Sequence, residues 1–176
     1  MAETDGEREP PWLDADEQQT WYALAYLLTR LPASLEAQMQ RDAGFPHFDY
    51  IVLSGLSMAP ERTLQLSMLA HYTGSTLSRL SNVVARLEAR GWVHRHPDPS
   101  DGRSTLATLT DDGWTTVVAA APGHVAEVRR LVFDPLTRTQ QRQLRAVAER
   151  ILDAMNSPAP TVLGAADPDR AADSTS

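Results

Sequence analysis

Apolar side chains recur every three or four residues over most of this chain, which is the spacing of one face of an α-helix. The first stripe of this kind comprises Trp21, Leu24, Leu28, Leu31 and Leu35. It predicts a long first helix, which Pro32 should kink and which Gly44-Phe45-Pro46 should end. Apolar residues at 51–53 and 56 predict a second helix over residues 48–58.

Two helical stretches separated by a glycine turn follow along the chain. The first is predicted over residues 67–72, and Thr73-Gly74 forms the turn. Ser75 is expected to cap a longer helix that extends to Arg90, with Gly91 at its C-terminal end. The buried face of that longer helix is predicted to carry Leu77, Leu80, Val84 and Leu87.

A β-hairpin is predicted next, because residues 92–96 and 104–109 have strand character and residues 97–103 are turn-forming. Thr110 is expected to cap a further helix that extends to about residue 131, with a break at residues 121–123. Thr137 and Gln140 form a capping-box pattern that opens a last helix.

These elements predict a mainly α-helical fold with a small β-wing. Residues 62–109 contain, in order, a short helix, a glycine turn, a longer helix and a hairpin, which are the parts of a winged helix-turn-helix. The length of 176 residues is that of one domain with a self-sufficient core.

The charge of the chain is unevenly distributed. The formal net charge is -7, which as a bulk number argues against a nucleic-acid partner. Residues 1–20 carry a net charge of -6 and residues 153–176 carry -3, which leaves +2 for residues 21–152. The polar composition of residues 1–11 and 157–176 predicts disordered tails, and the N-terminal tail is acidic. The acidity therefore lies outside the predicted folded part.

Composition excludes several classes of protein. The chain has no Cys, which excludes disulfides, thiol catalysis and Cys-ligated metals. The longest strongly apolar run, residues 21–28, is too short to span a bilayer, and the N-terminal residues do not resemble a signal peptide. We therefore expect a cytoplasmic protein with no membrane partner.

The longer helix of the central block carries the candidate chemistry. Its predicted outward face has a polar stripe formed by Ser75, Thr76, Ser78, Arg79, Asn82 and Arg86. Arg side chains pair with guanine edges and Asn with adenine edges, so such a stripe can read bases in a major groove. The hairpin adds Arg95, His96 and Arg103, and an Arg at a hairpin tip can enter a narrow minor groove. The alternative is a solvated helix face and a solvated turn residue.

A family resemblance is visible in residues 86–113. Residues 86–95 are RLEARGWVHR, residues 101–103 are DGR, and residues 109–113 are LTDDG. In this order and spacing they resemble the MarR (multiple antibiotic resistance regulator) family, although Trp92 replaces the commoner Leu. The resemblance covers about residues 12–155.

The resemblance implies a homodimeric transcriptional regulator that binds a pseudo-palindromic operator in double-stranded DNA. We expect this regulator to be a repressor. It implies an N-terminal dimerisation helix (12–47), a winged helix-turn-helix (48–109) and C-terminal dimerisation helices (110–156). In the wing, Asp101 and Arg103 would shape the loop, and Arg103 would reach the minor groove.

The family also implies that a small aromatic or phenolic effector releases the DNA. Candidate lining residues with aromatic faces and polar tips are Trp21, Tyr22, Tyr26, His47 and Tyr50. The alternative for each of them is an ordinary core or interface aromatic.

No catalytic residues, cofactor or metal site are expected. Nucleophile elbows, phosphate loops and H-E-x-x-H patterns are absent from the sequence. His94 and His96 could pair on one strand face, but no third metal ligand is apparent near them. The remaining alternative to a DNA-binding regulator is a winged-helix module for protein–protein contact that has no operator of its own.

Overall fold

The computed structural model describes residues 11–155. The predicted tails, apart from residue 11, lie outside the described residues. The chain divides into two compact units, Met1–Ser34 and Leu35–Ser176. None of the helices in the described part is both long and apolar enough to cross a lipid bilayer.

The first helix, α1, extends from Ala15 to Asp42 and continues through Pro32. Its N-terminus is capped reciprocally, because the Asp14 carboxylate accepts the Glu17 backbone N–H at 2.8 Å and the Glu17 carboxylate accepts that of Asp14 at 2.9 Å. In the part of α1 that belongs to the first unit, the aromatic side chains of Trp21, Tyr22 and Tyr26 are exposed. The sequence predicted this helix but not its acidic cap.

Within the second unit, the end of α1 is followed by α2 (His47–Met58), β1 (Thr63–Gln65), α3 (Leu66–Tyr72) and α4 (Leu77–Ala89). The hairpin strands β2 (Val93–Pro97) and β3 (Thr105–Leu109) come next, and α5 (Asp111–Val128) and α6 (Arg138–Ala154) complete the described chain. The elements α3, α4 and the hairpin confirm the predicted winged helix-turn-helix.

The core of this unit is formed mainly by side chains from α2, α3 and α4. Leucines from all three helices are fully buried there, and Ala107 and Leu109 of β3 cover them. Gly55 lies at the closest approach within this core, since a Cβ atom there would be 2.8 Å from the Tyr72 ring. The apolar positions predicted for α4 are buried at Leu80, Val84 and Leu87, but the prediction for Leu77 is wrong, because its side chain lies in the first turn of α4 and is 52% exposed.

The wing is a three-stranded antiparallel sheet with the order β1-β3-β2. Ala107 in the central strand pairs with Leu64 on one side and Arg95 on the other. The sequence predicted the hairpin but not β1. This short strand follows a turn in which Glu61 and Arg62 adopt positive φ angles of 50° and 55°.

Two predictions about helix ends need correction. The side chain that caps α4 is Thr76, whose Oγ1 accepts the Arg79 backbone N–H at 3.2 Å, whereas Ser75 lies one residue earlier and its hydroxyl is 3.1 Å from that of Thr73. The predicted break at residues 121–123 is wrong, because α5 continues through Pro122 to Val128 and only then widens into a π-helical turn over Arg129–Phe133. The capping box of Thr137 and Gln140 is confirmed.

Candidate nucleic-acid interface

The outer face of α4 is polar and open. The helix buries Leu80, Val83, Val84 and Leu87 on its inner face. On the opposite face the side chains of Thr76, Ser78, Arg79, Asn82 and Arg86 are exposed, and Ser75 is half-buried just before the helix. The first turn of α4 contains no acidic residue, so its free N–H groups and its dipole favour an anion. This face therefore has the donors that a nucleic acid requires.

The two arginines of this face are held by neighbouring residues of α2. The guanidinium of Arg79 lies over the ring of Phe48, 4.3 Å from its centroid. Arg86 Nη2 is 2.5 Å from Asp49 Oδ1, and its Nε donates to Asp49 Oδ2 at 3.3 Å. The hydrogen bonds to Asp49 raise the pKa of Arg86 above its usual value. Arg86, which the sequence placed among base-reading residues, thus has its guanidinium bound within the protein.

A groove of about 620 Å³ lies between the start of α2 and the outer face of α4. Pro46, Phe48 and Asp49 line it on the α2 side, and Arg79, Asn82 and Arg86 on the α4 side. The backbone N–H of His47, at the start of α2, donates to the Glu36 carboxylate at 2.8 Å. The negative Glu36 side chain suits the positive end of the α2 dipole.

The wing loop is organised by two aspartates. Asp98 is buried and accepts hydrogen bonds from the Ser100 hydroxyl at 2.7 Å, from the Ser100 N–H at 2.8 Å and from Gln65 at 2.8 Å. These bonds, the Ser100 hydroxyl first, lower the pKa of Asp98 to about 2. Asp101 accepts from the Ser104 hydroxyl at 3.0 Å and the Arg103 N–H at 3.2 Å. The sequence missed Asp98, although its Asp-Pro-Ser context is a turn signal.

Arg103 projects from this loop. Its side chain is 96% exposed, and its Nε is 3.5 Å from Asp101 Oδ1. The predicted wing residue Arg95 has a different environment, because it donates to Glu88 of α4 from its backbone N–H and its Nε, both at 2.8 Å. These bonds, that of the backbone first, lower the pKa of Glu88. Arg95 therefore joins the wing to α4, whereas Arg103 is exposed and lies beside Asp101 of its own loop.

The wing histidines face each other without forming a metal site. The rings of His94 and His96 stack with centroids 5.8 Å apart, and His96 Nε2 is 3.0 Å from the Thr108 hydroxyl. Within residues 11–155 no group of three or more His, Asp or Glu side chains could hold a metal ion.

Two of the five predicted effector-lining residues meet a histidine of α5. The His47 and Tyr50 rings lie 5.1 Å and 4.5 Å from the ring of His124. Burial lowers the pKa of His124, and burial followed by the proximity of His124 lowers the pKa of His47. The buried His124 Nδ1 and Gln38 Oε1 make no hydrogen bond to a described residue. His124 was not among the residues predicted from the sequence, and Trp21, Tyr22 and Tyr26 belong to the other compact unit.

The C-terminal helix presents an uncovered apolar stripe. None of the side chains of α6 is buried, and Leu144, Val147 and Ile151 remain between 44% and 53% exposed. Phe133 and Leu136 before α6 and Leu144 within it line an apolar groove of about 510 Å³. A helix with one apolar stripe is stabilised mainly by packing of that stripe, and this chain supplies no such packing within the described residues.

The helix order, the three-stranded wing and the open face of α4 define a winged helix-turn-helix protein. Among known proteins, a family model described as the MarR family matches residues 44–104. The chain is 45% identical to Sco3205 of Streptomyces coelicolor, a MarR family transcriptional regulator crystallised in complex with DNA. That match covers 89% of this chain and 97% of the other, with a TM-score of 0.80.

A second crystal structure, that of the MarR family regulator AbsC from Streptomyces coelicolor, is 32% identical. It covers 83% of this chain and 98% of the other, with a TM-score of 0.79. The chain also shares 34% identity over 74 residues with the HTH-type transcriptional regulator PecS of Dickeya dadantii, 42% of this chain and 44% of PecS. The chain thus spans about half of the curated relatives it matches first. It belongs to the MarR family, as do Sco3205 and AbsC.

Proposed function

We propose that this protein is a sequence-specific double-stranded DNA-binding transcriptional regulator, acting as a repressor and as a homodimer on a pseudo-palindromic operator. The observation that carries the proposal is the exposed polar face of α4 beside the exposed wing arginine Arg103. The 45% identity to a regulator crystallised with DNA supports the same conclusion.

On this proposal α4 enters the major groove. Arg79 and Asn82 are exposed near its N-terminal half, where residues of a recognition helix contact base edges. Arg can pair with guanine O6 and N7, and Asn with adenine N6 and N7. Thr76 and Ser78 supply hydroxyls for phosphates or bases. Arg103, at the wing loop, would enter the adjacent minor groove.

The apolar stripe of α6 supports the homodimer. Its three exposed aliphatic side chains are uncovered in one chain, and a second copy is the partner that would bury them. A two-fold dimer places its recognition helices about one DNA turn apart, so the operator half-sites should be about 10 bp apart. Val147→Glu should then yield monomers in size-exclusion chromatography with light scattering, whereas Gln143→Glu, at an exposed position of the same helix, adds the same charge and serves as the control.

The effector proposal concerns the cluster of His47, Tyr50 and His124. Aromatic faces with polar tips, together with the unpaired His124 Nδ1, suit a small aromatic or phenolic molecule. The sequence offers three further candidates for effector contact, which are Trp21, Tyr22 and Tyr26. Such a molecule would release the protein from DNA by binding the DNA-free form more tightly.

A fluorescence anisotropy titration tests the DNA-binding proposal. The duplex upstream of the protein's own gene should bind more tightly than random duplex, and its affinity should fall steeply with salt. Equal affinity for the two duplexes would overturn the proposal. That outcome would favour the alternative of a winged-helix protein-interaction module. The modest net charge of +2 over residues 61–103 would then account for the weak attraction to DNA.

A further inference from the structure

The second and third residues of α2 hold both arginines of the α4 face. We propose that Phe48 and Asp49 are positioning residues for DNA readout, Phe48 acting through Arg79 and Asp49 acting through Arg86. Neither lies on the recognition helix, and this inference rests on the proposed DNA-binding function. It also changes the role of Arg86 from a base-reading residue to the anchor that orients α4.

The Asp49–Arg86 pair is a two-point contact. Asp49 is fully buried within α2, and both of its carboxylate oxygens accept from the same guanidinium, at 2.5 Å and 3.3 Å. A buried carboxylate is costly to leave unpaired, so it keeps Arg86 in place. Because a guanidinium and a carboxylate bind edge to edge in one plane, the pair restricts rotation of α4 about its own axis.

The Phe48–Arg79 contact acts at the other end of the same face. Phe48 packs against the hydrophobic core, so its ring is a fixed surface. A guanidinium whose central carbon lies 4.3 Å from the ring centroid is held by cation–π attraction, which uses none of its N–H donors for a hydrogen bond to the ring. Stacking also orders the long Arg79 side chain before DNA arrives, which lowers the entropy lost on binding.

The two contacts are seven residues apart on α4, which is two helical turns and about 10 Å along the axis. Phe48 and Asp49, which are adjacent in α2, therefore contact the recognition helix near its start and near its end. A small shift of α2 would change both the rotation of α4 and the direction of Arg79. This geometry gives α2 a share in sequence discrimination although its side chains need not touch the DNA.

A double-mutant cycle tests the Asp49–Arg86 part. The variants are Asp49→Asn, Arg86→Gln and the double variant, titrated on the operator duplex at several salt concentrations. Each single variant should lose about tenfold in operator affinity, and the double variant should lose no more than the weaker single variant. For Arg86→Gln, the slope of log Kd against log salt should match that of Arg41→Gln, a charge-matched control on α1. A slope reduced by about one relative to that control, with additive losses, would show direct phosphate contact by Arg86 and overturn the proposal.

Folding must be separated from positioning in this cycle. Removing one partner of a buried pair can unfold the protein, so Asp49→Leu with Arg86→Met removes both charges at similar volume. Circular dichroism establishes that this variant is folded. Because its net charge is unchanged, it should retain the salt slope of the wild type, and it should still lose about tenfold in operator affinity, because the apolar pair no longer fixes the rotation of α4. Operator affinity equal to that of the wild type would overturn the proposal.

A ring-rescue series tests the Phe48 part. Phe48→Leu keeps apolar bulk without a π face, and Phe48→Trp keeps a face. Phe48→Leu should reduce discrimination against an operator with one substituted guanine per half-site by about tenfold, as should Arg79→Ala, whereas Phe48→Trp should preserve it. Unchanged discrimination in Phe48→Leu would overturn this part. If the wild type shows no preference for the operator, the proposed DNA-binding function and the positioning role both fail. If the wild type prefers the operator but these variants behave like Arg41→Gln, only the positioning role fails.

Discussion

Gly113 lies directly against the backbone of Trp92, so that a Cβ atom at residue 113 would be 2.1 Å from the Trp92 carbonyl oxygen. The same carbonyl accepts the Thr110 N–H at 3.0 Å, and the Thr110 hydroxyl donates to the Gly91 carbonyl at 2.7 Å. The N-terminus of α5 is therefore docked onto the chain that leaves α4. This contact gives the Leu-Thr-x-x-Gly run its physical meaning, because only glycine allows the approach.

Gly113→Ala should destabilise the protein by about 3 kcal/mol, since the obstructing atom is backbone and cannot rotate away. Gly102→Ala is the matched control, because a Cβ atom there would contact nothing within 4 Å and the change should cost at most about 0.5 kcal/mol. Urea unfolding followed by circular dichroism measures both. Equal midpoints for the two variants would contradict the close approach.

Arg103→Ala should weaken binding to an operator with AT-rich flanks by about threefold to tenfold, because the side chain is 96% exposed at the wing loop and could enter a narrow minor groove. Discrimination between bases in the α4 contact region should change less. Anisotropy titrations on duplexes that differ only in their flanks provide the measurement. Equal affinities of wild type and variant on AT-rich flanks would remove Arg103 from the interface.

Asp98 should make the wing sensitive to acid. Its folded-state pKa is about 2, below the unfolded value near 3.9, so its contribution to stability is complete above pH 4. The contribution is lost as the pH falls from about 4 towards 2. Melting temperatures between pH 5 and pH 2.5 should decline less steeply for Asp98→Asn than for the wild type. Parallel curves would show that the Ser100 and Gln65 hydrogen bonds do not favour the carboxylate.

His124 should make stability depend on pH in a higher range. Burial lowers its pKa and that of His47 below the usual 6.5, and the nearby Glu36 opposes the shift only for His47. The unfolded chain therefore binds more protons just below pH 6.5, and stability should fall as the pH drops from 7 to 5.5. His124→Phe keeps a ring but cannot titrate.

Thermal unfolding between pH 7.5 and pH 5.5 measures this effect. The curve of His124→Phe should be flatter than that of the wild type, and exposed His71→Gln on α3 serves as the control variant. A His124→Phe profile as steep as the wild type would assign the pH dependence to other groups.

Local patterns in the sequence were sufficient for much of the fold. The apolar spacing and the turn residues predict α4 and the hairpin because these signals act within a few residues. Strand β1 was missed because its three residues have no pattern of their own, and only pairing with β3, more than forty residues away, makes them a strand. Pro122 predicted a break, but α5 continues through it.

The candidate site was predicted less completely, because its arginines are controlled by residues far away in sequence. The stripe on α4 identifies Arg79 and Arg86 as exposed polar positions, but it does not show that α2 binds them. Asp49 lies 37 residues before Arg86. Its presence in a mostly apolar helix was a signal that a cationic partner exists. His124 had no comparable signal, since it lies in an alanine-rich segment of α5.

Helix α6 has a thermodynamic consequence beyond the assembly of the protein. Because it buries no side chain within residues 11–155, in the proposed homodimer most of the free energy that keeps it helical would come from association. Its folding is then linked by mass action to the amount of protein present, and the melting temperature rises with chain concentration. At low copy number the regulator would be partly unfolded as well as partly dissociated, so its cellular abundance would set both its structure and its operator occupancy.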